Sequence, residues 1–202
     1  MNKKFFIIIF ILFISTYYCG VYLYNLQNSI SNKVIRFHVI ANSDSAFDQS
    51  LKLKVRDKTV EYLTPLLANS KNINESREII NRNINNIQNI ATETLAAFSD
   101  YTATVELTNS KFPTKNYGDY SFPAGDYEAL KITIGEGNGQ NWWCVMFPPL
   151  CFTDSSIEFT EESVETLRQN LSNEELELIS NSNKPKVQIK FKFLEWLNNS
   201  SE

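Results

Sequence analysis

Histidine is nearly absent from this chain, and cysteine is scarce. Among 202 residues there is one histidine, His38, and there are three cysteines. Metal sites in proteins are usually built from several histidine, cysteine or carboxylate ligands at recognisable spacings. No such spacing surrounds His38, and no glycine-rich motif stands in a nucleotide-binding context. The sequence therefore predicts no metal and no other cofactor.

An excess of positive charge is also lacking. The chain has 19 lysines and arginines against 23 aspartates and glutamates, which gives a formal net charge of −4. Proteins that bind nucleic acids normally carry a basic stripe or patch. The basic residues here are interleaved with acidic ones, so we expect no nucleic-acid partner.

Charged residues are missing from one long N-terminal stretch. None occurs between Lys4 and Lys33, and residues 5–14 are all apolar. A basic start followed by an apolar run is typical of an export signal. An apolar helix over residues 5–24 would also be long enough to cross a hydrocarbon core of about 30 Å. Residues 1–26 are therefore predicted to be a signal peptide or an uncleaved signal anchor in the membrane.

The two forms differ in whether signal peptidase removes the segment. Tyr17 and Tyr18 crowd the region that the peptidase would read, where small residues are preferred. This crowding favours the uncleaved anchor. Either form places the rest of the chain outside the cytoplasm.

Residues 33–202 are predicted to form one extracytoplasmic domain. The chain is 43% apolar and 13% aromatic, which suffices for a hydrophobic core. The periodicity of apolar residues predicts strands at 34–41, 102–108, 126–134, 141–147 and 186–193, and helices at 47–67, 69–100 and 161–171. The fold class is therefore α+β, with two N-terminal helices packed on a mainly antiparallel sheet.

Three further segments carry predictions of their own. Residues 112–125 are rich in aromatic residues, proline and glycine, and are expected to form an irregular surface loop. Residues 126–147 are expected to form an antiparallel hairpin with a glycine-rich connection. Residues 154–182 form an acidic segment.

Charged and polar residues accompany the first strand and the first helix of the domain. Asp48, Lys52 and Arg56 repeat every four residues, so they share one face of the helix. Two interpretations are open: a solvated stripe of weak ion pairs, or a surface that docks a partner. The residues of this first surface are Arg36, His38, Asn42, Asp44, Asp48, Lys52, Arg56 and Asp57.

A second surface is predicted around two adjacent tryptophans. Neighbouring side chains of a strand point to opposite faces, so one tryptophan can anchor the core while the other is accessible. The alternative is that both are packed under a covering loop. The residues of this second surface are Tyr117, Gly118, Asp119, Tyr120, Trp142 and Trp143.

Cys144 and Cys151 leave three interpretations open. Outside the cytoplasm a disulfide between them is chemically allowed, and the two prolines between them would help the chain to fold back. Two buried free thiols are the second interpretation. The third is an extracytoplasmic hydrolase with Cys144 as nucleophile and His38 as base, although a thiol in an apolar strand is more often packed than reactive.

Several blocks of sequence, in one order, resemble a known family. They are VIRFHVIANSDS at 34–45, DQSLKLKVRD at 48–57, FPTKNYGD at 112–119, PAGDYEAL at 123–130 and NWWCVMFPPLCF at 141–152. Together they closely resemble stage II sporulation protein R over most of residues 34–152. The segment from residue 154 onward has no comparable match.

The resemblance implies a signalling protein of endospore-forming bacteria. Such a protein is made in the forespore and exported across its membrane into the intermembrane space. It is needed there to activate a membrane-embedded aspartic protease, the sigma-E processing peptidase, which removes the pro-sequence of the sigma-E precursor in the mother cell. No catalytic residues come with the family, so we expect neither an enzyme nor a small-molecule substrate.

Three functions therefore stand beside one another at this point. The first is a signal that binds the protease and shifts it towards its active arrangement. The second is the cysteine-type hydrolase. The third is a membrane-tethered scaffold without a signalling role.

Overall fold

The computed structural model describes residues 3–148 and 161–180. These residues form five helices and six strands. In chain order the elements are helix α1 (Lys3–Ser31), strand β1 (Ile35–Ile40), helices α2 (Ala46–Leu67) and α3 (Ile73–Ala96), strands β2 (Ala103–Phe112), β3 (Lys115–Tyr117), β4 (Tyr120–Phe122), β5 (Gly125–Ile134) and β6 (Asn141–Phe147), and helices α4 (Glu161–Asn170) and α5 (Asn173–Ile179). The predicted α+β class is confirmed. The strand predicted at 186–193 lies outside the described residues.

Four strands form one mixed sheet in the order β2-β5-β1-β6. β1 runs parallel to β5 and antiparallel to β6, while β2 runs antiparallel to β5. Two of these three pairings are antiparallel, which agrees with the predicted mainly antiparallel sheet. All of β1 except its last residue is buried, as is usual for an inner strand.

The predicted hairpin over residues 126–147 is wrong. β5 and β6 are not paired with each other, because β1 lies between them. Two strands joined by a glycine-rich connection are typical of a hairpin. That local pattern contains no information about β1, which lies much earlier in the chain. Because β1 is largely apolar, its burial between two strands stabilises the sheet.

The connection between β5 and β6 passes the end of β1 and is held there by backbone hydrogen bonds. The Gly139 N–H donates to the Ala41 carbonyl (2.9 Å), and the Asn138 N–H donates to the Asn42 carbonyl (3.1 Å). A Cβ atom at Gly139 would overlap the backbone carbonyl of Ser43. Glycine therefore allows the close approach of two backbones at this point.

Gly139→Ala is expected to destabilise the domain, because the obstacle is backbone and cannot swing away. Overpacking of this kind typically costs 1–3 kcal/mol, so urea denaturation should give an unfolding free energy lower by about 2 kcal/mol. Asn138→Ala changes the exposed neighbour and is the control, with an expected change below about 0.5 kcal/mol. Equal stability of the two variants would contradict the close approach.

Helices α2 and α3 cover one face of the sheet. Ser45 is the N-cap of α2, and its hydroxyl accepts from the Asp48 N–H (3.1 Å). Helix α2 continues past Pro65 and ends at Leu67, as predicted. The buried residues on this side form the first cluster, which consists of Ile35, Phe37, Val39, Leu51, Val55, Leu63, Leu67, Ile80, Ile87, Ala91, Leu95, Ala103, Val105, Leu130, Ile132, Ile134, Cys144, Met146 and Phe147.

The opposite face of the sheet is covered as well. Its cover comes from strands β3 and β4, helices α4 and α5, and the last turn of α1. The buried residues on this side form the second cluster, which consists of Ile30, Val34, Phe112, Tyr117, Phe122, Tyr127, Ala129, Val145, Leu167, Leu171 and Ile179.

The irregular loop predicted over residues 112–125 is wrong in part. β3 and β4 pair antiparallel within it, with Lys115 opposite Phe122 and Tyr117 opposite Tyr120. Strands of three residues are too short to show the alternation by which strands are recognised in a sequence.

Gln88 of α3 occupies part of the edge of β2 that no other strand of the described residues pairs with. Its side-chain Nε2 donates to the Ala103 carbonyl (2.7 Å), and its Oε1 accepts from the Val105 N–H (3.0 Å). One carboxamide thus makes the pair of hydrogen bonds that a neighbouring strand would make at this edge.

Helix α1 is continuous but has two different surroundings. Lys4–Ser31 is long and apolar enough to cross a membrane, with a mean hydropathy of 2.2 in its most apolar part. The large apolar side chains between residues 5 and 24 are exposed, whereas Ile30 is completely buried in the second cluster. The helix is therefore compatible with a signal or an anchor, and its last turn belongs to the packed domain.

Candidate functional site

The residues of the first predicted surface do not form one surface. Arg36 and His38 lie under the cover of the second cluster, four residues from Asn42 to Lys52 hold the β5–β6 connection, and Arg56 and Asp57 lie on the outside of α2. Arg36 is completely buried, and His38, Asp48 and Lys52 are at most 6% exposed. These four side chains are therefore not available to a partner on the surface of the folded domain.

Arg36 is a buried cation surrounded by aromatic rings. Its guanidinium carbon lies 4.5 Å from the ring centroid of Phe112, 5.0 Å from Tyr127, 5.4 Å from Phe122 and 5.7 Å from Tyr117. Its Nε donates to the Cys144 carbonyl and its Nη2 to the Tyr117 hydroxyl, both at 3.0 Å. Burial lowers the pKa of Arg36 while the two tyrosines oppose that effect. Ring faces thus stabilise this charge where a carboxylate usually would.

His38 is a neutral member of the same aromatic group. Its ring stacks on Trp143, with centroids 5.1 Å apart and planes inclined by 10°, and lies 5.1 Å from Phe112. Burial lowers the pKa of His38 to about 4. The imidazole is therefore uncharged near neutral pH and acts as an aromatic packing group.

The structure does not favour the Cys144–His38 hydrolase. Cys144 is disulfide-bonded, so its sulfur is not a free nucleophile. In the pairing of β1 with β6, Cys144 is opposite Phe37 and packs in the first cluster, whereas His38 stacks on the other face of the sheet. The two side chains therefore lie on opposite faces. Cys151, the predicted disulfide partner, lies outside the described residues.

Asn42, Asp44, Asp48 and Lys52 form a polar hub where β1, α2 and the β5–β6 connection meet. The Asp48 carboxylate accepts from the Ser43 hydroxyl (2.6 Å) and the Asn42 amide (3.0 Å). These hydrogen bonds, that of Ser43 first, lower the pKa of Asp48. The hub therefore positions backbone rather than a ligand.

The rest of the polar hub reaches the connection directly. The Asp44 carboxylate accepts from the Gln140 N–H (2.7 Å), and the Asn42 side-chain oxygen accepts from the Glu136 N–H (3.0 Å). Lys52 Nζ donates to the Gln140 carbonyl (3.0 Å). All three bonds hold residues 136–140 against the start of α2.

Arg56 of the first predicted surface and Trp142 of the second are both half-buried, and they lie against each other. The Arg56 guanidinium carbon lies 4.2 Å from the Trp142 ring centroid, and its Nε donates to the Asp57 carboxylate (2.6 Å). Trp142 is half-buried and packs against the first cluster. Leu53, which is 38% exposed, and Val60 lie on the same side of α2 by their helical spacing. We call Leu53, Arg56, Val60 and Trp142 the Arg56 patch.

The second predicted surface is also divided. Trp142 and Trp143 lie on opposite faces of β6, since the first packs on the first cluster and the second stacks on His38. Tyr117 is 4% exposed and is bonded to Arg36. Gly118 and Asp119 are exposed at the β3–β4 turn, away from the Arg56 patch.

Glu175 is a residue that sequence reasoning missed. It is 1% exposed and accepts from Lys33 Nζ (2.7 Å) and the Ser29 hydroxyl (2.5 Å). Burial acts to raise its pKa, but hydrogen bonds led by that of Lys33 outweigh burial and lower the pKa. The Ser172-x-x-Glu175 spacing signals the capping box that is present at α5. Nothing local could reveal the pairing with Lys33.

Metal-ligating side chains are dispersed over the described parts of the chain. Within residues 3–148 and 161–180, no three histidine, cysteine, aspartate or glutamate side chains come together in a group that could hold a metal ion. The fold and its contacts thus define an α+β domain that follows an apolar helix and carries a half-buried cation–aromatic pair, Arg56 on Trp142.

Within that class, the chain belongs to the stage II sporulation protein R family, whose family model matches residues 31–157. A curated relative is stage II sporulation protein R of Bacillus subtilis (strain 168), which is 43% identical over 128 residues. The match covers 63% of this chain and 57% of the relative, so it spans little more than half of that protein. No solved structure gives a significant match.

Proposed function

We propose that this chain is a sporulation signalling protein, made in the forespore and exported across its membrane into the intermembrane space. There it is required to activate the membrane-embedded aspartic protease that processes the sigma-E precursor in the mother cell. The observation that carries this proposal is membership of the stage II sporulation protein R family over residues 31–157.

Two structural features support an extracytoplasmic location. The apolar helix α1 stands at the N-terminus, where an export signal or anchor is expected. Cys144 is disulfide-bonded, and structural disulfides persist mainly in oxidising compartments outside the cytoplasm. Both features agree with a protein that folds after export.

The proposed mechanism is binding and involves no chemical step. A binding partner shifts a conformational equilibrium by the difference between its affinities for the two states. The domain would bind the exposed part of the protease better in its active arrangement and so raise the population of that arrangement. Neither a cofactor nor a small-molecule substrate enters this mechanism.

The Arg56 patch is the surface that we assign to this binding. Arginine and tryptophan are enriched among the residues that dominate binding energy at protein interfaces. One side of the Trp142 ring packs against the first cluster, so the Arg56–Trp142 stack is held in place before any partner arrives. Such pre-organisation lowers the entropy cost of association.

Arg56→Glu and Trp142→Ala are each expected to lower processing of the sigma-E precursor at least tenfold, since loss of a central interface residue typically costs about 2 kcal/mol or more. The full chain would be co-expressed with the protease and the precursor in a non-sporulating bacterium, and shortening of the precursor measured by immunoblot. Arg82→Glu is the matched control, because this arginine of α3 has a side chain that is 76% exposed and lies outside the patch.

The outcomes of this experiment test the docking surface and the activating role independently of each other. Normal processing with folded, exported Arg56→Glu and Trp142→Ala proteins would exclude the Arg56 patch as the docking surface. Failure of the folded, exported wild-type chain to promote processing would refute the activating role itself. Circular dichroism and thermal melting of each purified variant establish that it is folded.

A further inference from the structure

The last turns of α1 are built into the domain, although the rest of the helix is apolar and exposed. Large apolar side chains are exposed as far as Tyr24, while the side chains of residues 26–29 are half-buried and Ile30 is completely buried. The change from exposed to packed surroundings falls at residue 25 or 26, within a continuous helix.

Helix α5 holds this end of α1 through a buried carboxylate. Glu175 accepts from Ser29 of α1 and from Lys33, two residues beyond the end of the helix. The Ser172 N–H donates to Oε2 of the same carboxylate (2.6 Å), whereas Ser29 donates to Oε1, and these two bonds fix the orientation of the carboxylate. Loss of a donor to a buried carboxylate is unfavourable, so removing the residues up to Ser31 would deprive Glu175 of its hydrogen bond from Ser29.

Strand β5 provides a second contact for the same turns. The Gln27 side chain lies so close to Gly125 that a Cβ atom there would overlap it. Ile30 packs in the second cluster with Val34, Tyr127 and Val145. The segment 26–31 therefore fills space in the core and is not a removable extension.

This packing bears on proteolytic processing. Signal peptidase selects small residues at two positions separated by one residue, and Ser29-Ile30-Ser31 has that pattern. Cleavage after Ser31 would remove Ile30 from the second cluster and Ser29 from Glu175. The sequence pattern and the packing thus make opposite predictions about this site.

We propose that residues 26–31 stay on the mature protein as a permanent part of the domain, so that any signal-peptidase cut lies N-terminal to Leu26 and Ser29-Ile30-Ser31 is not used. This inference does not depend on the partner that the domain binds. It concerns the covalent form in which the exported protein folds.

The test is the N-terminus of the exported protein. The full chain with its own N-terminal segment and a C-terminal tag would be expressed in a spore-forming bacterium, purified from membrane and soluble fractions, and examined by intact mass and N-terminal sequencing. An intact chain, or a chain beginning at or before Leu26, is the expected result. A folded product that begins at any later residue would overturn the proposal.

Glu174 and Glu175, which are adjacent in α5, provide a matched pair of variants that tests the contact between α1 and α5. Glu175→Gln is expected to lower the melting temperature by roughly 5 °C and to make residues 26–33 several-fold more sensitive to limited proteolysis. Glu174→Gln changes an exposed residue that meets α1 only through the Tyr22 hydroxyl (3.2 Å) and should behave like the wild type. Equal protection of residues 26–33 in both variants would contradict the claim that Glu175 holds the end of α1. The wild-type N-terminus decides the proposal even where Glu175→Gln does not fold.

Discussion

Replacing Arg36 by alanine is expected to lower the unfolding free energy of the domain by about 3–5 kcal/mol, in the range of large-to-small substitutions in a core. Two causes add. The four surrounding rings lose the group that fills the space between them, and the buried Cys144 carbonyl and Tyr117 hydroxyl each lose a hydrogen-bond partner. Urea denaturation at constant pH measures the loss.

Two further variants show what causes this loss. Arg82→Ala removes an exposed arginine of an i,i+4 pair and should change the unfolding free energy by less than about 0.5 kcal/mol. Arg36→Met restores most of the volume without the charge or the hydrogen bonds, so its stability should lie between those of the wild type and Arg36→Ala. A loss below about 1 kcal/mol for Arg36→Ala would show that the aromatic cover does not depend on the guanidinium.

Acidification from pH 6.5 to pH 4 is expected to lower the stability of the domain by about 3 kcal/mol through His38 alone. Burial lowers the pKa of His38 from 6.5 to about 4, so the unfolded chain takes up the proton first as the pH falls. The contribution is therefore fully present above pH 6.5 and is lost as the pH falls towards 4. Urea denaturation at a series of pH values measures this slope.

His38→Phe is the variant that isolates this effect. Neither ring nitrogen of His38 has a hydrogen-bond partner among the described residues, so a phenyl ring can keep the stack on Trp143. The variant should show little change in stability between pH 6.5 and about 4.5. Asp48 and Glu175 also have lowered pKa values, so their contributions are lost only at more acid pH. A slope as steep as that of the wild type would assign the acid sensitivity to other groups.

The periodicity of apolar residues located most helices and strands, but it could not indicate which strands pair with each other. Apolar residues at helical spacing predicted α2 and α3, and alternation predicted β1 and β2. The position of β1 between β5 and β6 was not predictable, because it depends on which distant backbone offers hydrogen bonds. The half-polar face of β1, with Arg36 and His38, indicated exposure. Its actual cover comes from rings between Phe112 and Tyr127, which no local pattern around β1 reveals.

Helical geometry explains why the first predicted surface was divided. A step of four residues advances about 40° around an α-helix, because each residue turns about 100°. Asp48, Lys52 and Arg56 therefore drift around α2 by about 80° in total. Because of that drift, Asp48 lies in the buried hub, whereas Arg56 is only half-buried and lies on Trp142. The spacing correctly indicated neighbours, but it could not indicate where the surface of the domain begins.

The carboxamide of Gln88 has a consequence for self-association. An unpaired strand at the edge of a sheet is a template on which another chain can add a strand and start a fibre. Gln88 already occupies the backbone groups of Ala103 and Val105, so a second copy could begin pairing only beyond them. Lys111, which is exposed on the same strand, adds a charge close to this edge, and a lysine on an edge strand is a common protection against such pairing. The Gln88 amide and the Lys111 charge thus oppose aggregation through the edge of β2.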